Sequence, residues 1–84
     1  MLRILYLEDD PNDVDLARFA LRRGGLACTV HAVASREEFR QAIEGEVPDL
    51  ILSDFSLPGI IGLQALAMAK ARLPDVPFIV VSPR

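Results

Sequence analysis

The sequence predicts an α/β protein built on a parallel sheet, and three observations carry that prediction. Short apolar runs of strand length alternate with stretches of helical periodicity along the whole chain. Strands separated by helices imply parallel pairing through right-handed crossovers, with helices on both faces of the sheet. The first run, Leu2 to Leu7, is nearly all apolar rather than alternating, as a strand covered on both faces must be. Glycines and prolines (Gly24-Gly25, Gly45, Pro48, Pro74, Pro77) fall between the runs and punctuate them.

Each element follows in order. After the first strand, Pro11 suits the first position of a helix, and Asn12, Asp13 and Asp15 suit its first turn. Val14, Leu16, Ala17, Ala20 and Leu21 share an arc of about 160° at helical spacing. Asp15, Arg18, Arg22 and Arg23 occupy the other side, interrupted by Phe19, and Gly24-Gly25 ends the helix. Leu26 to Val33 reads as a second, weaker strand. Ser35 and Glu38 match a capping box, and Phe39, Ala42 and Ile43 mark a short helix that stops at Gly45. Pro48 leads into a third strand, Asp49 to Ser53, ending at Asp54. A loop containing Pro58, Gly59 and Gly62 precedes a third helix, Leu63 to Leu73, which Pro74 terminates. Pro77 opens a fourth strand, Phe78 to Ser82. The pattern is β-α-β-α-β-α-β.

The bulk properties narrow the function classes. At 84 residues, with 51% hydrophobic and 25% charged positions, the chain is one globular domain with a modest core. It is not a disordered, collagen-like or disulfide-stapled chain. No apolar run approaches the length of a membrane span, so no membrane association is expected. The net charge of −3 argues against direct binding to nucleic acid. Cys28 is the single cysteine and supports neither an internal disulfide nor a cysteine metal site; His31 has no partner motif. The N-terminus runs directly into Glu8-Asp9-Asp10 and is no signal peptide. A cytoplasmic location is the expectation.

In open parallel sheets, chemistry collects at the carboxyl ends of the strands. The residues there are Glu8-Asp9-Asp10, Asp54 and Ser82. Carboxylates held together repel, and their proton affinities rise unless a cation lies among them. A hard divalent ion with oxygen ligands resolves the conflict, and Mg²⁺ is favoured because it takes one or two carboxylates and keeps several waters. A carboxylate beside Mg²⁺ can attack phosphorus to give an aspartyl phosphate. A Ser82 hydroxyl could donate to the resulting phosphoryl oxygen. Any one of these residues alone reads as a helix start, a loop cap or an ordinary strand end; their coincidence at three strand ends favours a site.

Tyr6-Leu7-Glu8-Asp9-Asp10-Pro11, Pro48 through Gly59, and Val76-Pro77-Phe78-Ile79-Val80-Val81-Ser82 resemble the receiver domains of bacterial two-component response regulators. The resemblance covers the whole chain and implies a flavodoxin-like (βα) sheet of order 2-1-3-4. The last helix-strand-helix of the five-stranded family fold is missing. It implies that Asp54 is the phosphoacceptor and that Ser82 is the switch hydroxyl. It further implies that Mg²⁺ is held by Asp9 directly, by Glu8 through water, by Asp54 and by the backbone carbonyl of Ser56. Asp10 then falls to the helix start. The phosphoryl donor would be a phosphohistidine on a sensor histidine kinase or a histidine phosphotransfer protein. Such a domain is a phosphoacceptor rather than an enzyme, with at most slow self-catalysed phosphorylation and dephosphorylation.

The sequence departs from the family in several places. Lys70 is the only lysine and lies within the third helix, so no lysine matches the one on the family's fifth strand. Pro83 follows Ser82 and restricts it to extended conformations, and Ile61 stands where an acidic residue is often found. The expectation is that residues 1–84 are a receiver domain cut from a longer chain. The bare edge of the fourth strand then invites pairing with a second copy. One alternative is a phosphorylation-incompetent pseudo-receiver serving as an interaction surface. Another is a Mg²⁺-dependent phosphohydrolase with an aspartyl nucleophile, which Ser56 disfavours by standing where a general acid would.

Overall fold

Leu2 pairs with Cys28 and each following residue keeps step, down to Leu7 with Val33, so the first two strands form an in-register parallel ladder. In the computed structural model, which describes residues 1–54 and 59–81, the elements are β1 (Leu2–Leu7), α1 (Pro11–Arg23), β2 (Cys28–Val33), α2 (Arg36–Glu44), β3 (Leu50–Asp54), α3 (Gly59–Arg72) and β4 (Phe78–Val81). All pairings are parallel and the strand order is β2-β1-β3-β4. This is the expected flavodoxin-like receiver arrangement. β1 and β3 are central, which explains why Ile4, Leu5, Tyr6 and Leu7 are all buried.

The helix ends show how local sequence sets boundaries. Asp10 caps α1, its carboxylate accepting the Asn12 N–H at 2.9 Å, and Pro11 follows as the first helical residue. Gly25 adopts φ 78°, a conformation that costs a side-chain-bearing residue. The Gly25 N–H reaches the Arg22 carbonyl and the Leu26 N–H reaches that of Leu21, the paired bonds of a Schellman cap. At α2, the Glu38 N–H donates to Ser35 Oγ at 3.1 Å. The Glu38 carboxylate accepts from the Ser35 hydroxyl and the Ala34 N–H, completing the expected capping box one residue early.

α3 begins at Gly59, four residues before the expected start at Leu63. Gly59 and Gly62 suggested a loop, yet a helical glycine costs only about 1 kcal/mol relative to alanine. The helix tolerates both. β2 begins at Cys28 rather than Leu26, because Leu26 and its neighbours complete the cap of α1.

Packing is uneven on the two faces. Leu5, Leu7, Val33 and Ile51 meet Phe39 and Ile43 of α2 and Ala65 and Ala69 of α3 in one buried cluster. The Arg72 guanidinium reaches Glu44 at 3.2 Å and joins the two helices at its margin. On the opposite face, α1 buries only Val14, and its arc of apolar residues is half covered: Leu16 is 65% exposed. Ile79 and Val80 of β4 are also exposed. The Arg18 side chain donates to the Val30 carbonyl at 2.8 Å and ties α1 to β2. None of the described helices is long and apolar enough to cross a membrane.

Candidate functional site

The central ladder delivers two acids to one point. Leu7 pairs with Ser53, the last rung between β1 and β3, and the next residues are Glu8 and Asp54. Both are buried, 3% and 4% exposed. The first turn of α1 folds over the same strand ends and brings in Asp13, half-buried. Ligand oxygens of Glu8, Asp13 and Asp54 all lie within 4.8 Å of one another.

The two Glu8 oxygens have different surroundings. Oε2 accepts the Asp9 N–H at 2.8 Å and the Asp10 N–H at 3.2 Å, which fixes the side chain against the start of α1. Oε1 is buried with no hydrogen-bond partner, a costly condition for a carboxylate oxygen. Burial raises the Glu8 pKa to about 7; the Asp10 amide opposes the rise, and the neighbouring Asp54 carboxyl adds to it. Tyr6, buried on β1, is pushed up to about 12, first by burial and then by the charges of Glu8, Asp54 and Asp13. The charges of the cluster are therefore felt at Tyr6, two residues before Glu8 on the strand.

A buried carboxylate with an orphaned oxygen, facing two further carboxylates, is a donor set for a hard cation with oxygen ligands. The residues present fit Mg²⁺.

Of the expected site residues, Glu8 and Asp54 are brought together. Asp9 is exposed and stands outside the group of converging ligand atoms. Asp10 is the cap of α1, as expected. Ser56, with its backbone carbonyl, and Ser82 lie outside the described residues. The sequence marks Asp13 only as a first-turn acid of α1. Its position carried a signal nonetheless. Side chains tilt toward the N-terminus of a helix, so an acid on the first turn after a strand end leans back over that end.

The chain matches the family described as response regulator receiver domain over residues 4–84. It is 34% identical over 80 residues to the DNA-binding transcriptional regulator NtrC of Klebsiella pneumoniae, a match covering 94% of this chain and 17% of that protein. The chain thus spans about a sixth of the length of this curated relative. The receiver domain of a sensor histidine kinase from Pseudomonas aeruginosa, solved with a magnesium ion in its active-site cleft, superposes with a TM-score of 0.77 at 30% identity, over 94% of this chain and 65% of that one. A complex of the histidine kinase ThkA with the response regulator TrrA gives a TM-score of 0.80 at 27% identity, over 98% of this chain and 69% of the matched one. The chain belongs to the response regulator receiver domain family of two-component signalling.

Proposed function

We propose that the chain is a phosphoacceptor: Asp54 takes a phosphoryl group from a phosphohistidine, with Mg²⁺ bound, and the modified domain changes its affinity for a partner. The observation that carries this reading is the buried meeting of Asp54 with Glu8, whose Oε1 has no partner. Such an arrangement is unfavourable for a purely structural pair of acids and favourable for a cation site.

Each residue has a role in that reading. Asp54, at the end of β3, presents its carboxylate to the incoming phosphorus. Glu8 is held by the Asp9 and Asp10 amides and supplies a fixed negative oxygen. Glu8, Asp9, Asp54 and the Ser56 carbonyl are the residues that would hold the metal, and the Ser82 hydroxyl would donate to the phosphoryl oxygen. When bound, Mg²⁺ neutralises the carboxylates and the charge on the transferring group. Attack by a carboxylate oxygen of Asp54 forms a P–O bond while the P–N bond of the donor imidazole breaks. The donor would be a sensor histidine kinase or a histidine phosphotransfer protein, a reading supported by the kinase-bound architecture of the ThkA–TrrA complex. The domain acts as substrate and switch rather than as an enzyme, in the cytoplasm, as part of a longer protein.

The test is mass spectrometry after incubation with a small-molecule phosphodonor and Mg²⁺. The wild-type chain gains one phosphoryl group that is lost on mild alkaline treatment. Asp54→Asn gains none, and equal labelling of that variant would refute the assignment.

A further inference from the structure

We propose that Asp13, in the first turn of α1, is an additional carboxylate of the cation site, so that the bound cation ties α1 to the ends of β1 and β3. The inference rests on the cation-binding reading given above and adds a residue to it.

Two observations carry it. The first is geometric: a ligand oxygen of Asp13 converges with those of Glu8 and Asp54 within 4.8 Å. The second is the orphaned Oε1 of Glu8, on a side chain only 3% exposed. A buried oxygen without a donor, grouped with two more carboxylates, calls for a positive partner. Asp13 sits in the first turn of α1, where the helix dipole favours negative charge and offsets part of its repulsion by Glu8 and Asp54.

The consequence follows from how thinly α1 is packed. Val14 is its one buried residue, while Leu16 and Phe19 are exposed. Its side-chain tie to the sheet is the hydrogen bond from Arg18 to the Val30 carbonyl. A cation shared by Asp13, Glu8 and Asp54 adds a second tie at the other end of the helix. It converts metal occupancy into a change in the stability of α1, at no cost to the core beneath α2 and α3.

The experiment is a Mg²⁺ titration of the chain followed by amide NMR shifts, together with amide hydrogen exchange across residues 11–23 with and without Mg²⁺. In the wild type, Mg²⁺ shifts the amides around Glu8, Asp13 and Asp54 and slows exchange along α1. Asp13→Asn weakens Mg²⁺ binding about tenfold, in the range typical for loss of a residue supporting a metal, and abolishes the added protection of α1. Asp15→Asn is the control. It removes the same charge from the same helix, at a side chain that is 76% exposed and lies 3.7 Å from Arg18, and leaves both readouts unchanged. Asp13→Asn with wild-type affinity and wild-type protection would overturn the proposal, as would an equal loss in Asp15→Asn, which would reduce the effect to bulk charge. Weaker binding with unaltered protection would overturn the tether. Mg²⁺ shifts that persist in full in Asp54→Asn would refute the underlying cation site instead, independently of the result at Asp13.

Discussion

Glu8 and Asp54 each stand one residue beyond Leu7 and Ser53, the last paired rung between β1 and β3, so the register of a parallel ladder alone brings two distant acids together. Parallel strands present their carboxyl ends on the same side of the sheet, and a shift of one rung would separate the pair. What the ladder assembles is a site under electrostatic tension, with consequences that can be measured.

The first consequence is a pH dependence in the metal-free chain. The pKa of Glu8 is raised from 4.5 to about 7 in the folded protein, mainly by burial. Between those values the folded state binds more protons at this position than the unfolded state, so the contribution of Glu8 to stability is highest below pH 4.5 and falls as pH rises through 7. Each tenfold change in proton affinity is worth about 1.4 kcal/mol, so the loss attributable to Glu8 is on the order of 3 kcal/mol. Urea midpoints measured in chelator across this range should show the decline, and Glu8→Gln should flatten it and be the more stable protein at pH 8. A wild-type profile that rises through the same window would contradict the assignment.

The core beneath α2 makes a second prediction. Phe39 is fully buried against Leu5, Leu7, Ile43 and Ile51 in a single cluster. Phe39→Ala should cost about 3–5 kcal/mol. A domain of this size has a total stability of only roughly 4–13 kcal/mol. Circular dichroism in urea should therefore show a midpoint lowered toward zero denaturant. A midpoint within experimental error of wild type would mean that the cluster does not hold the fold.

Two adjacent glycines respond in opposite directions. Gly25 has φ 78° and open space around it, so Gly25→Ala should lose about 1–2 kcal/mol through backbone strain alone. Gly24 has an ordinary φ of −77°, and an added Cβ would meet the Ala20 carbonyl at 3.5 Å, a normal contact. Gly24→Ala should be neutral or stabilising by up to about 1 kcal/mol, because it restricts the unfolded chain. Thermal melts of the two variants side by side decide the matter; equal effects would remove the Schellman cap as the explanation.

The exposed face of β4 predicts self-association of the chain. Among the described residues β4 pairs with β3 alone, and Ile79 and Val80 are 45% and 54% exposed. An apolar strand edge templates pairing with another chain, and charge on it opposes pairing. Light scattering should show dimers or larger species at high concentration, and Val80→Lys should shift them toward monomer. A wild-type chain that remains monomeric at millimolar concentration would count against this surface.

Much of this is legible in the sequence itself. The limits of β1 and α1 follow from the apolar run Leu2–Leu7, from Pro11 and from Gly24-Gly25, because strand burial, helix entry and helix exit are each decided by residues next to one another. The meeting of Glu8 with Asp54 was legible for a different reason: the alternation of elements implied a parallel sheet, and parallel strands bring their carboxyl ends to one edge. The early start of α3 at Gly59 was not, because two glycines outweighed the helical pattern locally while costing little in the folded chain.

Which carboxylates converge and how α1 is covered were decided by tertiary structure alone. Helical periodicity places Val14 and Leu16 on one arc, but it cannot say which elements exist to cover that arc, and only Val14 is buried. Likewise, adjacency in sequence makes Glu8 and Asp9 look like one unit. Beyond a strand end the backbone turns, and its path sends Glu8 inward and Asp9 into solvent, while the tilt of the first helical turn returns Asp13 to the buried acids. Strand and helix identity depends on short-range patterns and was fixed by the residues themselves. Which carboxylates meet depends on the directions of chain segments that approach each other only after folding.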